Sequence, residues 1–248
     1  MDVAGGVGRL EENLTNSEPP RVDPRLRRAV DANVGWYEDL CAMHAVPTTL
    51  DPGLWRSIGR PPPLHSDIVV VEPEVSTEQV TELVGDRMPY GCKDSFATVD
   101  LSAVGFNILF SASWIHLEAG AAPESAQSKG WVTIVDASQL VAWNSLHGTT
   151  EVLLPALLQH GHFRVLALYA DQRIVAGAVA RLSSGVVDVS NVFAVPGHHL
   201  DWPSLATAIQ AIFPSRPIVG YERGGSLDAA RKAGFVGVGG GCPGSRGS

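Results

Sequence analysis

Three β-rich runs in the second half of the chain, Val165 to Ala170, Ile174 to Leu182 and Val186 to Val195, limit its possible folds more than any other feature. Only Asp171-Gln172-Arg173 and Ser183-Ser184-Gly185 separate them, and connections this short cannot carry a crossover, so the runs form an antiparallel meander. Helix and strand then alternate: a helix over Leu205 to Ile212, a strand over Ile218 to Glu222, and a helix over Leu227 to Ala233 closed by Gly234. An antiparallel meander followed by crossover helices is a mixed α/β pattern.

The first half is less regular. Residues 1–24 are polar with Pro and Gly, as a flexible N-terminal arm is, and Asp23-Pro24 opens an amphipathic helix from Arg25 to His44. The proline-rich stretch Val46 to Ser66 reads as a wrapped loop, and Ile68 to Val71 as a short buried strand. Ser76 and Gln79 have capping-box spacing at the start of a helix that Gly85 ends. Ser95 to Asp100 and Phe106 to Leu117 read as a hairpin, Trp131 to Val135 as a strand and Ala137 to Leu146 as a helix. This suggests an arm (1–24), an N-terminal α/β region (25–150) and a C-terminal domain (151–248).

Eighteen basic against 26 acidic residues give a net charge of −8, a bulk field that repels phosphate backbones, so nucleic acid is not an expected partner. Three unevenly spaced cysteines, Cys41, Cys92 and Cys242, do not make a disulfide framework and favour a reducing compartment. No basic leader precedes an apolar run, and no apolar stretch reaches the ~18 residues of a membrane span, so a soluble cytoplasmic protein is expected.

The run Arg164 to Val238 resembles the C-terminal half of the GCN5-related N-acetyltransferases, the GNAT family. The likeness lies in Ser190-Asn191-Val192-Phe193-Ala194-Val195-Pro196, similar to the family's central strand with its terminal proline, and in the strand Pro217 to Glu222. It lies also in Leu227-Asp228-Ala229-Ala230-Arg231-Lys232-Ala233-Gly234-Phe235, a helix ending in Gly-Phe. The resemblance implies a GNAT-like fold, a mixed and mainly antiparallel sheet flanked by helices. The N-terminal half is then an elaboration of it or a degenerate second copy. It also implies acyl transfer from acetyl-CoA or another acyl-CoA to a small-molecule amine, by direct attack on the thioester. In the family a Gln/Arg-x-x-Gly-x-Gly/Ala turn holds the pyrophosphate on bare amides, whereas here the matching stretch is His198-His199-Leu200-Asp201-Trp202-Pro203-Ser204-Leu205, without glycine. The chain ends in Gly239-Gly240-Gly241-Cys242-Pro243-Gly244, which does not read as a clear final strand.

Glu222 and Tyr221 end a strand where open α/β sheets splay and bind ligands, so Glu222 is the candidate general base, with Tyr221 and Asn191 as catalytic partners. The bland alternative for Glu222 is an ion pair with Arg223 or a helix cap. By the resemblance, Phe193, Ala194, Val195 and His199 would hold the cofactor, while Ser190 and His116 are substrate-binding candidates. Asn191 equally suits a buried amide satisfying irregular backbone, and His198 and His199 suit an exposed loop. Cys92 beside Lys93 is a possible activated thiol, outweighed by a simple turn with a local Lys-Asp pair. Cys41-x-x-His44 and His160-x-His162 are incomplete as metal sets, and no metal is expected. The rival functions keep the fold without coenzyme A. They are isomerisation, cyclisation or elimination on a small metabolite, a noncatalytic binding module, or transfer from a carrier-protein or aminoacyl donor.

Overall fold

The computed structural model describes residues 22–84, 90–122 and 130–246. Helix α1 (Pro24–Met43) starts where the Asp23 carboxylate accepts the Arg25 amide and Pro24 occupies a position that needs no donor. It is followed by β1 (Thr48–Asp51), β2 (Leu54–Ser57), β3 (Ile68–Val70), α2 (Thr77–Val84), β4 (Tyr90–Asp94), β5 (Phe106–Ile108) and β6 (Ala112–Leu117). The second half runs β7 (Trp131–Ile134), α3 (Ala137–His147), β8 (Phe163–Ala170), β9 (Arg173–Leu182), β10 (Val187–Ala194), α4 (Trp202–Ile212), β11 (Ile218–Glu222), α5 (Gly224–Lys232) and β12 (Val236–Arg246).

The strands line up in the order β1-β2-β3-β4-β12-β6-β11-β10-β9-β8-β7, with β5 added on β12. Residues 236–241 of β12 pair with β6, and residues 242–246 pair with β4 and β5, so one strand belongs to two mostly antiparallel sheets. Among the described residues the parallel pairs are β3 with β4 and β10 with β11, each joined through a helix. Strand β6, from the first half of the chain, lies between β11 and β12 of the second. Strand β7 and helix α3, which precede residue 151, join the second sheet through β7–β8 pairing.

Helix α1 lies across both sheets. Its Val30, Trp36, Tyr37 and Leu40 share a core with Trp55 and Val69 of the first sheet and with Trp114, Val179 and Val219 of the second. Helix α3 covers the same face of the second sheet through Leu140 and Trp143, while α4 and α5 cover the opposite face over Val187, Val189, Ile115 and Ile218. Helix α2 packs Val80 and Val84 on Leu54, Ile68 and Val70.

The meander forms as expected, its first turn made by Asp171 and Gln172, both at positive φ, a geometry that follows the strand twist. The Ser76/Gln79 box also forms: the Ser76 amide donates to Gln79 Oε1 at 2.8 Å and the Gln79 amide to Ser76 Oγ at 3.3 Å. Gly85, the expected stop of that helix, lies outside the described residues.

Three expectations are corrected. Ser95 to Asp100 is a turn, because the buried Asp94 carboxylate accepts the Phe96 and Val99 amides at 2.9 and 2.7 Å and folds the chain back. Within Val46 to Ser66, Pro52-Gly53 turns the chain with Gly53 at φ 78°, and β1 and β2 pair across it. The glycine-rich end is the 11-residue strand β12. A Cβ at Gly241 would stand 2.8 Å from the Asp94 carbonyl and 3.0 Å from the Tyr221 hydroxyl, so bare backbone is what lets these groups close over the strand.

Candidate functional site

Pairing between β10 and β11 runs from Val187↔Ile218 to Val189↔Gly220 and stops there. Beyond it β10 also slips its register with β9 between Ser190 and Phe193. Residues 190–194 thus have no strand partner on the β11 side, and a cleft opens between them and the end of β11.

Glu222 is the last residue of β11 and partly buried. Burial pushes its carboxyl up to about 7, opposed by a hydrogen bond with the Ser226 side chain of α5. Ser226 Oγ also accepts the buried Trp202 indole N–H at 3.3 Å, which ties this carboxyl to the start of α4. A carboxyl near neutrality can exchange a proton with a substrate at working pH.

Tyr221 is not beside it. Successive strand residues point to opposite faces, and the Tyr221 ring lies on the α1 face, 4.6 Å from the Trp114 ring. Lys93 of β4 reaches over the glycines of β12 to the same place, its ammonium 4.1 Å from the Tyr221 centroid, 4.5 Å from that of Trp114 and 2.9 Å from Asn33 Oδ1 of α1. Burial pulls Lys93 down to about 7 and pushes nearby Asp188 of β10 up to about 6. The structure therefore places Tyr221 in a buried polar cluster of the core, apart from the face that carries Glu222.

Asn191 sits at the register slip with φ 52°, a left-handed conformation that costs a non-glycine residue energy and marks a functional or structural need. Its Nδ2 donates to Ser190 Oγ at 3.1 Å, and its side chain hydrogen-bonds His147, the last residue of α3. The His147 ring stacks on Phe193 at 4.8 Å, and burial lowers its pKa. Ser190, Asn191, Phe193 and His147 thus form one constellation on the α3 side of the cleft. Sequence reasoning missed His147, although a histidine just before the Gly148 helix stop was visible.

Val195 continues β10, its amide bonded to the Val175 carbonyl at 2.9 Å. A groove of about 830 Å³ opens beside it, lined by Val195, Pro196, His198, Arg173 and the α3 residues Gln139 and Leu146. Ala194 is partly buried, and His199 is exposed in the loop before α4. A second cavity of about 390 Å³, lined by Asp94, Leu101 and Phe106, lies in the first half of the chain.

His116 does not face the cleft: it is 1% exposed on β6, paired between Val219 and Val236, and burial lowers its pKa. Cys92 is not activated by Lys93, since burial pushes its thiol up to about 12. His44 Nε2 pairs with the Val152 carbonyl and His162 Nε2 with Asp39. The Cys242 side chain lies outside the described residues. No described helix is long and apolar enough to cross a membrane.

The start of α4 does not fit a diphosphate. Asp201 caps the helix with its own carboxylate, Oδ1 accepting the Ser204 amide at 3.3 Å, and Pro203 has no N–H to offer.

No protein-family model and no curated protein matches the sequence. Solved structures do match its fold. A GCN5-related N-acetyltransferase from Kribbella flavida superposes with TM-score 0.57 over 89% of this chain and 96% of its own, at 14% identity. A protein described as a GNAT-family acetyltransferase from Novosphingobium aromaticivorans gives 0.57 over 91% and 99%, at 16% identity. A conserved Staphylococcus epidermidis protein of unknown function gives 0.60 over 80% and 92%, at 13% identity. The chain has a GNAT-like fold, and the likeness extends over most of its length, the first half included.

Proposed function

We propose that the protein is an N-acyltransferase of the GNAT type, moving an acyl group from a thioester donor such as acyl-CoA to the amine of a small molecule. The observation that carries this reading is a carboxyl held near pKa 7 where the two parallel strands part. Glu222 takes the proton of the attacking amine, and the unpaired edge of β10 offers backbone N–H groups to the acyl carbonyl, where negative charge develops. His147, its ring fixed by Asn191 and Phe193, lines the opposite, α3 face of the sheet and takes no part in this proton transfer. With a net charge of −8, whose field repels phosphate backbones, the acceptor is a small metabolite rather than nucleic acid.

The capped start of α4 favours a second reading, in which the same cleft serves a different reaction on a small metabolite without coenzyme A. An assay of amine-dependent thiol release from acetyl-CoA and S-acetylpantetheine across a panel of primary amines separates the two. Acyl transfer predicts release that Glu222→Gln slows by roughly 10²–10⁴-fold. No amine-dependent release from either donor overturns it.

A further inference from the structure

Three amides before and at the start of α4 are already paired. The His198 amide donates to the Val195 carbonyl at 3.0 Å, the Ser204 amide to the Asp201 carboxylate, and the Leu205 amide to the Asp201 carbonyl at 3.0 Å. Pro203 contributes none, and Gly197, the one glycine between Val195 and Phe213, lies five residues before the helix begins. Charge points the same way. No Lys or Arg occurs between Arg181 and Arg216, so the whole β10–α4 segment offers no strong cation, and Asp201 sets a negative group at the helix's positive end. A diphosphate placed at the helix start would meet the Asp201 carboxylate and, at Pro203, a residue without an N–H.

The edge of β10 is different. Residues 190–194 lack a strand on the β11 side, and a pantetheine arm, with two secondary amides in series, can add to a free strand edge as an extended peptide does. We infer that the acyl donor is recognised through its pantetheine arm alone, and that the diphosphate and nucleotide of coenzyme A add nothing to its binding. This rests on the acyl-transfer reading and narrows its donor to acyl thioesters of pantetheine or phosphopantetheine, free or carried on a protein.

Calorimetry on the full chain with pantetheine, 4′-phosphopantetheine and coenzyme A tests it, with turnover of their acetyl thioesters measured in parallel. The expected result is three dissociation constants within about tenfold of one another, whereas in a built diphosphate site the charged hydrogen bonds would add more than that. Coenzyme A binding more than about tenfold tighter than pantetheine overturns the inference and leaves acyl transfer standing. If none of the three binds and none of the thioesters turns over, the acyl-transfer reading itself falls and the inference with it. Acetylated acyl carrier protein as a fourth donor identifies the source: turnover faster than with acetylpantetheine assigns a carrier-bound arm, and equal or slower turnover a free thioester.

Discussion

At Glu222 the environment that would make the residue useful also makes it a cost to the fold. Its carboxyl is held at about 7 against an ordinary 4.5, so between these values the folded chain keeps a proton that the unfolded chain has lost. The stabilisation from that protonated form is complete below 4.5 and disappears as pH rises through 7. Glu222→Gln has no proton to lose, so the melting temperature of the variant relative to wild type should be higher at pH 8 than at pH 5. A constant difference would place Glu222 in solvent. If Glu222 is the base, kcat/KM of the wild type should rise with pH through a limb near 7 that the variant lacks. Asn191 allows a test of strain: Asn191→Ala should be less stable than Asn191→Gly by about 1–2 kcal/mol in chemical denaturation, because only alanine's Cβ resists φ 52°. Equal stabilities would show that the slip relaxes once the side chain is gone. At this scale the sequence revealed which residue types lie at the cleft but not how they face. Tyr221 and Glu222 were grouped, although strand alternation sends them to opposite faces, and the Asn191–His147 bond joins residues 44 positions apart that no spacing rule connects.

Elements were legible where local chemistry agrees with the final fold and obscure where distant contacts decide. The meander and the α2 capping box carry their own turn and cap residues, so short windows sufficed. Strand β12 has the composition of coil, and what makes it a strand is pairing with β4, β5 and β6, all more than a hundred residues away. Helix α4 is set by its cap. Asp201→Ala should lower stability by about 0.5–2 kcal/mol, while Asp201→Ser, which keeps an acceptor for the Ser204 amide, should stay close to wild type. Equal losses in both variants would mean that the charge on Asp201, rather than the hydrogen bond, holds the helix start. In β9, a Cβ on Gly177 would run into the Phe193 ring and the Trp143 indole, whose N–H donates to the Leu166 carbonyl at 2.9 Å. Gly177→Ala should therefore cost about 1–3 kcal/mol and disturb the His147–Phe193 stack as well. Unchanged stability and unchanged tryptophan emission would show that the rings have room to retreat.

The two halves of the molecule are bound together by exchange. The first half lends β6 to the sheet of the second, the second returns the end of β12 to β4 and β5, and α1 covers the junction with a core drawn from both sheets. Lys93 extends the link, since it starts on β4 and ends between rings of β6 and β11. A segment beginning at Gly130 would keep the cleft residues but lose β6, leaving β11 and one side of β12 as open edges, and lose α1 from over Val179 and Val219. Unpaired edges and an uncovered apolar face both favour association over folding. The whole chain should therefore unfold in a single transition, with tryptophan fluorescence and far-ultraviolet circular dichroism giving coincident midpoints in urea. The segment 130–248 should be insoluble or lack a cooperative transition, and adding segment 1–129 in trans should rescue it by restoring β6 and α1. If 130–248 instead folds alone with a sharp transition, the exchange is decoration on an independent domain, and the first half is an appendage rather than part of the fold that shapes the cleft.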